Sequence, residues 1–148
     1  WDGQSVVRTV ERLDTAENKW IEVPTRLNSV GSSIGSEPVR MKMGVAVLDD
    51  KLYVAGGCVQ TLEPCYSAHC LDPTTGEWTK LPDMRYSRAS PVLVPYRGRI
   101  YAFGGEGNSG GHVEMFDPHS REWTVLDNTK IKNFVAFFDN FIFINDFK

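Results

Sequence analysis

Leu52-Tyr53-Val54-Ala55-Gly56-Gly57 and Ile100-Tyr101-Ala102-Phe103-Gly104-Gly105 are two copies of one phrase: an aliphatic residue, a tyrosine, two apolar residues and a glycine pair. The tyrosines stand forty-eight positions apart. Each phrase is followed by a second match, Leu71-Asp72-Pro73 leading to Gly76-Glu77-Trp78, and Phe116-Asp117-Pro118 leading to Arg121-Glu122-Trp123, displaced by forty-five. The three-residue difference falls in the loop after Gly-Gly. Further out, Leu13-Asp14 with Lys19-Trp20 repeats the second half, and Ile142-Phe143-Ile144 repeats the first. A basic residue stands thirteen positions before each key aromatic: Arg40 before Tyr53, Arg88 before Tyr101 and Lys130 before Phe143. The chain is therefore an array with a period near forty-five residues.

Within a period the apolar stretches are short: residues 44–48, 52–55, 69–71 and 77–81. They are rich in β-branched and aromatic residues, lack a helical period, and are bounded by turn residues, which predicts four antiparallel strands per repeat. Asp49-Asp50 and Arg97-Gly98 are expected to close the hairpin between strands one and two, and residues 72–76 that between three and four. One such sheet is too small to bury both its faces, so the units must stack on one another. Four strands in about forty-five residues fit the blades of a β-propeller.

At this point the pattern resembles the kelch repeat: an Arg near the first strand, an aliphatic-Tyr strand ending in Gly-Gly, an aromatic-Asp-Pro strand and a Trp. The resemblance covers nearly all of the 148 residues. It implies an all-β, kelch-type β-propeller fragment of about three four-stranded blades, two complete (38–82 and 84–126) and two half (1–24 and 128–148). Trp1-Asp2-Gly3 is similar to the segment that follows Gly-Gly. The expectation is half of a six-bladed ring belonging to a longer chain or a truncated product, with two chains sharing one ring as the alternative. Asp146-Phe147 stands where a fourth Gly-Gly would fall, and residues 25–37 read as a long, polar, flexible link between blades.

A net charge of −3 offers no basic excess for a phosphate backbone, and the longest apolar runs, 134–138 and 141–144, are far short of the roughly 20 residues that cross a bilayer, so neither nucleic acid nor membrane is expected as a partner. Three cysteines, Cys58, Cys65 and Cys70, are few and odd in number, which favours a reducing compartment, and with no signal segment in view the expected location is cytoplasmic. His69, His112 and His119 share no zinc spacing with them. The glycine-rich stretches precede no helix that would hold a phosphate, and no nucleophile elbow is present. The reading is a non-enzymatic protein with no cofactor and no metal.

Function is expected in loops held on a rigid scaffold. Loops after Gly-Gly (58–67 and 106–111, with 1–5 as a third) and links between blades (25–37, 83–87 and 127–130) should share one rim. They gather Arg40, Lys42, Arg85, Arg88, Lys130 and Lys132, a cationic set suited to an acidic peptide. The candidate partner-binding residues are Lys42, Arg85, Tyr86, Arg88 and Lys132. Arg40 and Arg88 occupy the repeat's own Arg position, which favours a blade-to-blade hydrogen bond or ion pair over a ligand contact. Structural roles fall to Gly56, Gly57, Gly104, Gly105, Tyr53 and Tyr101, and to Trp20, Trp78 and Trp123 as rings packed between sheets. Cys58 and Cys65, in a rim loop, invite a redox role, with inert thiols the plainer reading. The resemblance implies a protein-interaction module of the kind that selects substrates in BTB-Kelch adaptors of cullin ubiquitin ligases, the cullin being reached through domains absent from these residues. A cytoskeletal, actin-binding kelch scaffold is the alternative, and a fragment of a catalytic propeller the third.

Overall fold

Left-handed backbone at both central residues of a two-residue turn matches the twist of a hairpin, and both inner turns have it. Asp49 (φ 49°) and Asp50 (φ 58°) join β4 (Gly44–Leu48) to β5 (Lys51–Ala55), and Arg97 (φ 48°) and Gly98 (φ 72°) join β9 (Val92–Tyr96) to β10 (Arg99–Phe103). The computed structural model describes residues 10–23, 26–27, 40–109, 111–126, 134–138 and 141–144. Among them there is no helix.

The outer hairpins are built on an aspartate. β6 (Ala68–Asp72) and β7 (Glu77–Leu81) are joined by a turn in which Asp72 Oδ1 accepts from Thr74 N at 2.9 Å, and Gly76 takes φ 73°. β12 (Val113–Asp117) and β13 (Glu122–Leu126) repeat it, with Asp117 Oδ1 accepting from His119 N at 2.9 Å and Arg121 at φ 57°. β1 (Val10–Asp14) and β2 (Lys19–Val23) repeat it again through Asp14 and Asn18. A short side-chain acceptor at the start of the turn fixes its shape, so three different sequences close alike.

The first complete sheet has the order β3-β7-β6-β5-β4, and the second β13-β12-β10-β9. The extra strand, β3 (Arg26–Leu27), runs parallel to β7 and belongs to the link read from sequence as flexible; two of its residues are instead paired to a sheet edge. β14 (Phe134–Phe138) and β15 (Phe141–Ile144) form a separate antiparallel hairpin with a register shift. A last pair, β8 (Arg88–Ala89) with β11 (Glu106–Gly107), ties a link between blades to a post-Gly-Gly loop. The Met41–Cys58 bridge is its counterpart forty-eight residues earlier. Among the described residues, the loops after Gly56-Gly57 and Gly104-Gly105 each meet a segment leading into the next sheet strand at one end of the sheets.

The two sheets stack on a shared core. Ala46, Tyr53, Ala55 and Cys70 of the first meet Leu93, Ile100, Ala102 and Phe116 of the second. Strand alternation sends Tyr101 and Phe103 to the far face of the second sheet, where they form another cluster with Val113. Tyr53 thus faces the next sheet, 6.2 Å from the Phe116 ring, and Trp123 faces back, its Nε1 donating to Pro82 O at 2.9 Å. Trp78 is half-buried. Trp20 departs from its expected packed role: it is 63% exposed. The positions at Asp146-Phe147, Lys130 and Lys132, and the loops 1–5 and 127–130, lie outside the described residues.

Each second glycine of the Gly-Gly pair sits where a side chain would strike backbone. A Cβ on Gly57 (φ 91°) would stand 2.6 Å from Met41 O, and one on Gly105 (φ 88°) 2.8 Å from Ala89 O. Gly105→Ala is expected to lower stability by about 2 kcal/mol or more, whereas Gly98→Asn, in a left-handed turn with open space, should stay within about 1 kcal/mol. Urea unfolding of the two variants checks this, and equal losses would contradict the steric account.

Burial, and next the neighbouring Cys70, push the Tyr53 phenol up to about 12 from an ordinary 10.0. The unfolded chain gives up that proton first, so stability from this group is complete below pH 10 and is lost as pH rises towards 12. Tyr53→Phe should flatten the fall in melting temperature across that window.

Candidate functional site

Arg40 and Arg88 bond the equivalent backbone carbonyls in successive sheets. Arg40 Nη1 donates to Gly56 O (3.1 Å), Ser67 O (3.0 Å) and Ser67 Oγ (2.8 Å), and Nη2 meets His69 Nδ1 at 2.8 Å. A guanidinium can only donate, so that imidazole nitrogen accepts and the ring carries its hydrogen on Nε2. Arg88 donates to Gly104 O (2.8 Å) and His112 O (2.6 Å), and through Nε and Nη2 to Glu114 Oε2 at 3.2 and 3.1 Å. Gly104 corresponds to Gly56, His112 to Ser67 and Glu114 to His69. Each Arg closes the loop after Gly-Gly by bonding the carbonyls at both its feet.

Arg88 therefore leaves the partner-binding set. Arg88 and Glu114 side chains are both 0% exposed, and the guanidinium is satisfied by its own sheet. Nor does the side chain bridge blades; its backbone does, with Arg88 N donating to Cys65 O (2.9 Å) and Gly57 N to Arg88 O (2.8 Å). Ser90 N to Lys42 O adds a third bond at 2.8 Å.

Glu114 also reaches the link itself, accepting from Arg85 N and, at 3.3 Å, from Tyr86 N. A buried carboxylate with four donors is satisfied, and here it orients the backbone that carries Arg85 outward. Arg85 is exposed, and the half-buried Tyr86 ring stacks on His112 at 5.2 Å and 9°. Lys42 is exposed in left-handed backbone (φ 56°). Asn108 Oδ1 accepts from Ser87 N at 2.8 Å and Ser87 Oγ at 3.1 Å, pinning the second loop to the link.

The cationic rim is thus thinner than the sequence suggested. Of the six cations gathered there, Arg88 is buried, Arg40 is bonded to its own loop, and Lys130 and Lys132 lie outside the described residues. Lys42 and Arg85 remain exposed, beside the equally exposed acids Glu63, Asp83 and Glu106. What sequence reading did not single out is apolar: Leu62 is 65% exposed and Tyr66 54% exposed, both in the loop after Gly56-Gly57. Leu62 adopts φ 64°, a conformation costly for a branched side chain, with its N–H on Val59 O. Beside it is a depression of about 380 Å³ lined by Arg40, Val59, Glu63, Pro64, Cys65 and Tyr66 among others. The thiols offer no activated nucleophile: Cys58 is buried, and burial pushes Cys65 and Cys70 above the ordinary thiol value.

The Kelch motif profile matches residues 40–85 and 87–129, so the first match opens on the Arg40 clamp. The chain belongs to the kelch-repeat family. It is 31% identical over 122 residues to Kelch repeat and BTB domain-containing protein 13 of Homo sapiens, covering 80% of this chain and 25% of that protein. It is 37% identical over 84 residues to Kelch-like protein 28 of Homo sapiens, covering 50% and 15% respectively. To F-box/kelch-repeat protein At1g67480 of Arabidopsis thaliana it is 29% identical over 122 residues, covering 77% and 32%. The chain spans a third or less of the length of these relatives. As a kelch-repeat chain it is a protein-interaction module.

Breaking the buried pair from one side leaves a charge without its partner. Glu114→Ala and Arg88→Met are each expected to cost about 3–5 kcal/mol, and the double variant less than their sum. Equilibrium unfolding of the three variants measures this; additive losses would show that the two side chains do not act as one unit.

Proposed function

We propose that the rim recognises a protein substrate for a cullin-type ubiquitin ligase, as in the BTB-Kelch adaptors the sequence resembles. The coupling to the ligase would be made by domains outside these residues. The observation that carries the reading is the strained, solvent-facing Leu62 beside exposed Tyr66, on a loop whose feet are clamped by Arg40. Strain held in place by a rigid surround, with apolar area facing water, is the signature of a preorganised contact surface. Lys42 and Arg85 flank it and supply charge for acidic groups of the partner, while Tyr86 offers a ring face. The names of the relatives that join kelch repeats to a BTB or F-box domain agree with recognition by one part and coupling by another.

Leu62→Gly separates recognition from folding, because glycine takes positive φ without strain. Stability should hold or rise by up to about 1 kcal/mol, while capture of partner proteins by the full-length protein falls at least fivefold. Arg85→Glu should lose the same proteins, and cellular turnover of those proteins should slow. Unchanged capture in both variants would remove the rim as the recognition surface. Loss of capture with normal turnover of the captured proteins would leave recognition but reject the ligase reading.

A further inference from the structure

The outer edges of the two complete sheets carry the same residues in the same place, Glu77-Trp78-Thr79 on β7 and Glu122-Trp123-Thr124 on β13. On β7 that edge is occupied. β3 runs parallel to it, with Arg26 opposite Glu77 and Leu27 opposite Trp78. On β13, among the described residues, no strand is paired beyond it. The link that supplies β3 is long, whereas the corresponding link before the second sheet is held close by Glu114 and has no chain to spare.

We propose that the outer edge of β13 takes an extended peptide segment from a protein partner by parallel strand addition, with a basic residue opposite Glu122 and an aliphatic residue opposite Trp123. An unpaired edge presents a row of backbone donors and acceptors, and an added strand satisfies them while its alternate side chains select the sequence. The chemistry of the occupant is read from the seat already filled: Arg26 and Leu27 in register with an identical Glu-Trp pair. Glu122 is exposed and supplies the complementary charge. Residues opposite each other in paired strands share a face, so the aliphatic residue falls on the face of Trp123. There a crevice of about 660 Å³, lined by Tyr66, Pro82, Met84, Arg121 and Trp123 among others, opens beside the edge. Two residues on from Trp123, on the same face of the strand, Val125 is exposed. This site lies along the side of the sheet, and its occupancy does not depend on Leu62 or on ligase coupling.

The probe is a heptapeptide copying residues 24–30, Pro-Thr-Arg-Leu-Asn-Ser-Val, titrated into the 148-residue chain while backbone amide signals are followed. Saturable shifts at residues 122–126 are expected. N-methylation of the peptide arginine and of its leucine in turn, each removing one backbone donor without touching the protein, should weaken binding at least tenfold at the one of the two whose N–H faces β13. Glu122→Arg, at an exposed position, should weaken the peptide and restore binding when its arginine is replaced by glutamate. Shifts confined to residues 77–81 would mean that the peptide merely displaces β3, and would overturn the proposal. So would the absence of shifts up to the solubility limit of the peptide, or indifference to N-methylation at both positions. If the β13 amides shift with protein concentration alone and the mass in solution doubles, a second copy holds the edge and the partner-peptide reading fails.

Discussion

A single arginine per repeat, thirteen residues before the tyrosine, makes the rim possible. The glycine pair ends a strand abruptly in left-handed backbone, so its carbonyls point away from any ladder and need donors. A guanidinium supplies several donors in a fixed plane. Arg40 and Arg88 each bond the first glycine's carbonyl and the carbonyl just before the third strand, which brings the two feet of an otherwise open loop together. Without that cross-tie the feet of the loop after Gly-Gly would be joined by backbone bonds alone. With it, the loop sequence is free to vary.

The two clamps differ in their last contact, and the difference has structural consequences. His69 gives Arg40 one neutral acceptor, and Arg40 stays half-buried. Glu114 gives Arg88 a full countercharge, and the pair is sealed from solvent while the carboxylate also gathers two amides of the link. The second repeat therefore has a tighter link and a more rigid presentation of Arg85 and Tyr86. The first has the longer loop, with Leu62 and Tyr66 facing water. A partner spanning both would meet an apolar contact on one side and a charged one on the other.

Strands, inner turns and glycine pairs were legible because local chemistry decides them: an Asp-Asp or Arg-Gly pair between alternating strands, an Asp that caps its own turn, a glycine where no Cβ fits. β5 and β6 differ from the sequence reading only by a residue or so at their ends. Arg88 was not legible as a buried residue. Its acceptor is twenty-six residues away on a different strand, and only the assembled sheet shows that Glu114 lies on the same side. Leu62 was hidden for the opposite reason, since nothing in a sequence marks a leucine forced into positive φ. β3 was missed because two residues in a polar link carry no strand pattern; their pairing is set by the open edge of β7.

The forty-eight and forty-five residue spacings differ because the loop after Gly56-Gly57 is three residues longer than that after Gly104-Gly105, yet the sheets superpose in register on either side. Length at this point is decoupled from the scaffold, because Cys58 with Met41, and Cys65 N with Gly57 O, fasten the base of the loop below residues 59–63. Closing such a loop costs little more when it is lengthened. The segment is in effect a socket: foreign hairpins or epitopes could be spliced between Val59 and Glu63, and evolution could exchange specificities there by insertion and deletion while the aromatic core stays as it is.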